Sequence, residues 1–147
     1  TITEACMDLV ARFGIEPKVA LLSHSNFGTS NAPSAKKVRQ AAEILRERHK
    51  TVQIDGEMHV LSALNPALRK TIYPQANLSG RANVLVMPNL DAANIAMGLI
   101  RSLTDALLIG PFITGLAKPA HVVIPSVSSR GIFNMTALTV ADIHQRK

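Results

Sequence analysis

The sequence predicts an α/β fold, with a mostly parallel sheet and helices on both faces. Three observations carry that prediction: short fully apolar runs such as Val19 to Leu22, stretches between them with apolar residues at helical spacing, and a regular alternation of the two along the 147 residues. Parallel neighbours need crossovers, and helices are the usual crossovers. The composition agrees. Hydrophobic residues make up 47% and charged residues 18%, with a mean hydropathy of +0.18, which excludes a disordered or fibrous chain. At 15.8 kDa the chain is expected to form a single α/β unit spanning residues 1–147.

Thr1-Ile2-Thr3-Glu4 fits a capping box, and the helix it opens, with Ala5, Leu9 and Phe13 along one side, can stop at Gly14. Val19 to Leu22 suits a strand buried on both faces, ending near Ser23. Pro33 and Ser34 can start a helix with an apolar stripe of Val38, Ala41, Ala42 and Leu45. Thr51 to Ile54 is the next β-prone piece. From Met58 to Tyr73 the pattern is helical, with Leu61, Leu64 and Leu68 on one side and a break at Asn65-Pro66. Asn83 to Met87 reads as a strand, Asp91 can cap a helix carrying Ile95, Leu99 and Leu103, and Leu107 to Ile109 and Val122 to Ile124 are further strand candidates. Ile132 to Ile143 reads as a closing helix. In such a sheet, chemistry belongs to the loops after the strand carboxyl ends.

Lys36, Lys37, Arg39, Arg46, Arg48 and Lys50 stand against only Glu43 and Glu47, so much of the net charge of +6 rides on one helix. No aromatic residue interleaves these cations for base stacking, so they read as a solvated helix face and no nucleic-acid partner is expected. No apolar run approaches the roughly 20 residues that cross a bilayer, so no membrane span is expected. Cys6 is the only cysteine, which leaves no intrachain disulfide or CxxC pair and suits a reducing, cytoplasmic setting. The chain begins without an initiator Met, a basic n-region or an apolar signal core, as a piece of a longer polypeptide would.

No GxGxxG, GxxxxGK[ST], HExxH or GxSxG motif occurs. Three loops carry polar chemistry. The first, Ser23-His24-Ser25-Asn26-Phe27-Gly28-Thr29-Ser30, follows a strand and precedes a helix. Such a loop can hold an anion through hydroxyls and backbone amides, or can simply supply turn and cap residues, and both readings stand. His24 and Ser25 have no sequence-visible Asp partner, so no catalytic residue is assigned. The second, Asp55-Gly56-Glu57-Met58-His59, offers hard, mixed donors that make a weak metal site, and Gly56 suggests a turn capping the next helix. No metal site is assigned. The third, Ser126-Val127-Ser128-Ser129-Arg130-Gly131, combines hydroxyls, a guanidinium fork and a helix amino terminus, the best anion site in the chain; an N-cap with a surface Arg is the alternative.

Read in order, these pieces resemble the carboxyl-terminal half of phosphate acetyltransferases: Val19 to Ser25 with Gly28 and Ser30, Asp55-Gly56-Glu57, Ala82 to Leu90 with Asn94-Ile95, Ile109-Gly110-Pro111, Gly115-Leu116, Lys118-Pro119 and Ser129-Arg130-Gly131. Ile54 to His59 and Ser126 to Met135 are more similar to the phosphotransacetylase-like domain that forms the carboxyl-terminal part of bacterial NADP-dependent malic enzymes.

The resemblance implies a phosphotransacetylase-like fold of the isocitrate/isopropylmalate dehydrogenase type, coenzyme A chemistry in a cleft, and a homo-oligomer of at least two chains. It aligns Ser129-Arg130 with the family's late Ser-Arg, which in working transferases runs on through an acidic stretch whose Asp accepts the coenzyme A thiol proton. Here Gly131 leads into Ile132-Phe133-Asn134, and no acid follows before Asp142. A thiol without a base is a poor nucleophile. The likeness to the malic enzymes therefore implies a sensor of acetyl-CoA as effector, with Ser128, Ser129 and Arg130 holding anionic oxygens and Ser23, Ser25, Gly28 and Thr29 lining the cleft. NADP and a divalent metal would belong to the malic enzyme domain outside this chain. The alternative is an active phosphate acetyltransferase whose base comes from Asp142 or from outside this chain.

Overall fold

A computed structural model describes residues 1–125 and 127–145. The elements in order are α1 (Ile2–Arg12), β1 (Lys18–Leu22), α2 (Pro33–Arg48), β2 (Gln53–Met58), α3 (Val60–Leu64), α4 (Pro66–Ile72), β3 (Val84–Val86), α5 (Leu90–Leu103) and α6 (Ser129–Gln145). The chain divides into two compact units, Thr1–Ala96 and Met97–Lys147. Among the described residues no helix is long and apolar enough to cross a membrane.

The first unit is built on a parallel sheet of order β2-β1-β3. Alternation along β1 divides its side chains between two cores. Val19 and Leu21 pack with Met7 of α1, with Val38, Ala42 and Leu45 of α2, and with Ile54 and Val84. Ala20 and Leu22 pack with Met58, with Ala63 of α3, and with Leu78 and Ala82. Apolar burial on both faces is what a crossover-connected parallel strand requires.

Several expectations shift by a face or a few residues. The capping box at Thr1 and Glu4 forms, but α1 buries Thr3 and Met7, with Cys6 and Val10 partly buried, and leaves Phe13 exposed. Pro66 does separate two helices, and Asn65 Oδ1 accepts the Leu68 amide at 3.0 Å, yet the buried positions are Ser62, Ala63 and Arg69 rather than the leucine stripe. Asn89, not Asp91, caps α5, accepting the Ala92 amide at 2.8 Å. β2 starts at Gln53 and runs through Asp55-Gly56-Glu57 to Met58, so that segment is strand and not a turn. Gly56 fits there because β1 passes so close: a Cβ would lie 2.6 Å from the Leu21 carbonyl oxygen, at a φ of +139°.

In the second unit, Leu107 to Ile109 and Val122 to Ile124 are not strands. Gly110 at φ +134° and the following Pro111 break the extended run, and these apolar side chains stay exposed. Phe112 and His121 meet edge to face at 5.7 Å, and the Ile113 amide donates to His121 Nδ1. α6 begins at Ser129, three residues before the expected start at Ile132.

Candidate functional site

β1 and β2 together set the conformation of the loop from Ser23 to Ser30. The Ser23 amide donates to the Met58 carbonyl at 2.9 Å and the Phe27 amide to the Glu57 carbonyl at 2.8 Å, so the loop's backbone continues the β1–β2 pairing. At its centre is the carboxylate of Glu57, 0% exposed. Ser25 Oγ donates to Glu57 Oε1 at 2.7 Å and the Gly28 amide to the same oxygen at 2.8 Å. From α2, Arg39 adds a fork: Nε to Oε2 and Nη2 to Oε1, each at 2.9 Å, with Nη2 also reaching the Ser30 carbonyl at 2.8 Å.

Around that core the hydroxyls brace one another. The Ser30 amide donates to Ser25 Oγ at 3.0 Å, Ser25 Oγ lies 3.2 Å from Thr29 Oγ1, and Thr29 Oγ1 accepts the Asn26 amide at 3.0 Å. The Ser25 amide donates to Ser23 Oγ at 3.2 Å. Asn26 Oδ1 accepts from the His59 amide and from Ser62 Oγ, while His59 Nε2 reaches the His24 carbonyl at 2.7 Å. Phe27, at φ +46°, stacks on Tyr73 with ring centroids 4.2 Å apart.

Burial by itself pushes the Glu57 carboxyl up, but the Arg39 guanidinium, the Ser25 hydroxyl and the Gly28 amide outweigh it and bring it down to about 2. The Ser25 hydroxyl and the Gly28 amide of this loop are directed at the chain's own carboxylate. Ser25 is buried, whereas Gly28 and Thr29 are exposed at the loop tip.

The second inward carboxylate is Asp55. Arg46 Nη1 donates to its Oδ1 at 3.3 Å, the Gly56 amide to the same oxygen at 3.0 Å, and the Asn77 amide to Oδ2 at 2.6 Å. Two of the six cations expected on a solvated face therefore turn toward β2. The signal lies in the spacing: Arg39 and Arg46 are two helical turns apart on one face of α2, and Asp55 and Glu57 alternate onto one face of β2. The sequence reading missed this pairing because Gly56 looked like a turn.

In the other unit, Ser128, Ser129 and Arg130 are all exposed at the start of α6. Ser128 is the cap: its Oγ accepts the Gly131 amide at 3.1 Å and its carbonyl accepts the Ile132 amide at 3.0 Å. Ser129 and Arg130 occupy the first turn, where the helix dipole favours an anion. Ser126 lies outside the described residues. The Ser23–Ser30 loop belongs to Thr1–Ala96 and the Ser-Arg pair to Met97–Lys147.

The buried Arg69 was also missed. It is 2% exposed and donates to the carbonyls of Ser62, Ala63 and Leu78 at 2.7, 3.2 and 3.1 Å, and to that of Gly80. It ties the end of α3 to the loop that leads into β3.

Comparison with known proteins places these features in a family. The profile of the phosphate acetyl/butaryl transferases matches residues 1–140. The chain is 50% identical to an NAD-dependent malic enzyme of Rhizobium meliloti over 133 residues, 90% of this chain and 17% of that enzyme. It is 51% identical to an NADP-dependent malic enzyme of Escherichia coli over 142 residues, 96% of this chain and 19% of that enzyme. The fold matches the EutD phosphotransacetylase from Staphylococcus aureus at a TM-score of 0.89 and 30% identity, covering 96% of this chain and 44% of that one. The chain thus spans about a fifth of the length of these malic enzymes and under half of the solved transacetylase, and it belongs to the phosphate acetyl/butaryl transferase family.

Proposed function

We propose that this chain is the phosphotransacetylase-like module of an NADP-dependent malic enzyme, that it binds acetyl-CoA as an allosteric effector without turning it over, and that it mediates oligomerisation. The observation that carries the reading is the composition of α6. After Ser129 and Arg130 the next acid on that helix is Asp142, twelve positions beyond Arg130, which at 1.5 Å per residue is roughly 18 Å along the axis. No carboxylate of the helix stands where a thiol proton would have to be taken beside the Ser-Arg pair. A cradle lacking its base keeps its affinity for anions, and affinity that differs between two states of the enzyme is all that allostery needs.

In this reading Ser129 and Arg130 hold phosphate or acyl oxygens and Ser128 fixes the helix start beneath them. Within the Thr1–Ala96 unit, Ser23, Ser25, Gly28 and Thr29 are the residues assigned to acetyl-CoA or anion binding, with Glu57 and Arg39 as positioning residues behind them. Malate, NADP and a divalent metal belong to the rest of the polypeptide. Oligomerisation is supported by α5, whose Leu90, Ile95, Leu99 and Leu103 are all exposed, an apolar surface that calls for cover. The location is expected to be cytoplasmic. The second reading, an active phosphate acetyltransferase, rests on the likeness to the EutD phosphotransacetylase.

The test is inhibition of malate oxidation by acetyl-CoA in the full-length enzyme. Arg130→Ala removes a charge-assisted fork of roughly 1.5 to 3 kcal/mol, so the half-inhibitory concentration should rise about tenfold or more, with the uninhibited rate unchanged. An unshifted inhibition curve would contradict the assignment of Arg130.

A further inference from the structure

A cavity of about 440 Å³ lies in the first unit, away from the Ser23–Ser30 loop. Its floor is apolar, formed by Leu21, Val38, Leu45 and Val86, and the charged side chains that line it are those of Lys37 and Arg48. Both are cations. Arg48 is loosely tied to Glu4, 3.9 Å away, and Lys37 takes no part in the ion pairs that α2 makes through Arg39, Arg46 and Arg48.

The position in the sheet is the second argument. The order β2-β1-β3 puts β1 in the centre, with the chain crossing to β2 on one side and to β3 on the other. The switch point therefore falls between β1 and β3. Leu21 near the end of β1, and Val86 with the following Met87 and Pro88 at the end of β3, place one end of the cavity, the end that Lys37 lines, at the carboxyl ends of those two strands. Open α/β sheets bind ligands in the crevice at that point. A volume in the range of roughly 300 to 1,000 Å³, with an apolar lining and a few placed polar groups, is that of a small-molecule site.

We propose that this cavity binds an amphiphilic organic anion, with its hydrocarbon body on the Leu21, Val38, Leu45 and Val86 floor and its carboxylate at Lys37. An inorganic anion would leave the floor wet, and a neutral apolar ligand would make no use of the cations. The site is independent of the acetyl-CoA reading, because none of its lining residues belongs to the loop or to α6.

Octanoate is the probe, titrated calorimetrically into the full-length polypeptide that carries this chain, with octan-1-ol and acetate as controls. Saturable octanoate binding is expected, at least tenfold tighter than that of either control. Lys37→Glu, which reverses a lining charge, and Ile44→Glu, which puts a carboxylate on the half-exposed wall, should each weaken octanoate at least tenfold. Both side chains are exposed, so the melting temperature should hold, and acetyl-CoA binding, if present, should be unchanged. Absence of octanoate binding at millimolar concentration, equal binding of octan-1-ol, or octanoate affinity unchanged in both variants would overturn the proposal.

Discussion

Glu57→Gln should destabilise the fold by about 3 kcal/mol at neutral pH, because it removes the buried carboxylate of a hydrogen-bonded ion pair and leaves a guanidinium behind. The amide keeps the shape but offers one acceptor oxygen where Ser25, Gly28 and both arms of Arg39 now donate, and its NH₂ faces donors. The estimate sits at the low end for broken buried pairs because the Arg39 side chain, 26% exposed, can partly rehydrate. Denaturant unfolding followed by circular dichroism measures the loss. Amide exchange at Gly28 and Ser30 should quicken as well, since the first donates to Glu57 and the second to the Ser25 hydroxyl that Glu57 holds. The pH dependence has a definite sign. The folded carboxyl titrates at about 2 and the ordinary value is 4.5, so its stabilisation is complete above 4.5 and is lost as the pH falls toward 2. The wild-type advantage over Glu57→Gln should therefore shrink between those values. A difference below about 1 kcal/mol at neutral pH, within the range of an ordinary hydrogen bond, would mean that the network is not what fixes the loop.

Arg69→Met should cost a similar amount, about 3 kcal/mol, for a different reason. Methionine fills much of the volume but donates nothing, and the carbonyls of Ser62, Leu78 and Gly80 lose their guanidinium partner. Ala63 retains the Ala82 amide at 3.0 Å. The Ser62 and Ala63 carbonyls belong to the last turn of α3, where helical acceptors have no partner in their own helix, so Arg69 serves as a C-terminal cap delivered from α4. Burial pushes its pKa down, with the Asp55 charge opposing, and the group stays a cation at any working pH. Arg69→Lys should recover only part of the loss, because three rotatable donors cannot reproduce the planar fork. Equal stability of Arg69→Met and wild type in urea would show that these carbonyls find other donors.

The sequence made legible those features that rest on local pattern. The three strands of the first unit, the α2 stripe and the break at Pro66 follow from hydrophobic period and from proline chemistry, and the fold class follows from their alternation. What it hid was pairing across space. Asp55 and Glu57 read as turn and cap residues because a glycine separates them, yet Gly56 is the residue that lets β1 come close enough for the strand to continue. Arg69 gave no signal, since a lone arginine on a short helix is usually solvated, and its four carbonyl partners are backbone atoms that any sequence would supply. Leu107 to Ile109 and Val122 to Ile124 failed as strands for the opposite reason: their composition favours sheet, but no described residue of their own unit forms a strand for them to pair with. For the candidate site, residue types and order pointed to Ser23–Ser30 and Ser129-Arg130, while the inward turn of Ser25 and Gly28 toward Glu57 required the fold.

The most direct test of the central claim is a titration of acetyl-CoA into the full-length enzyme with phosphate present, following heat and free thiol together. Binding without turnover predicts a saturable heat signal and no release of coenzyme A. Sustained release of thiol, at the rate of about one per second or faster typical of enzymes, would contradict it and establish a working acetyltransferase.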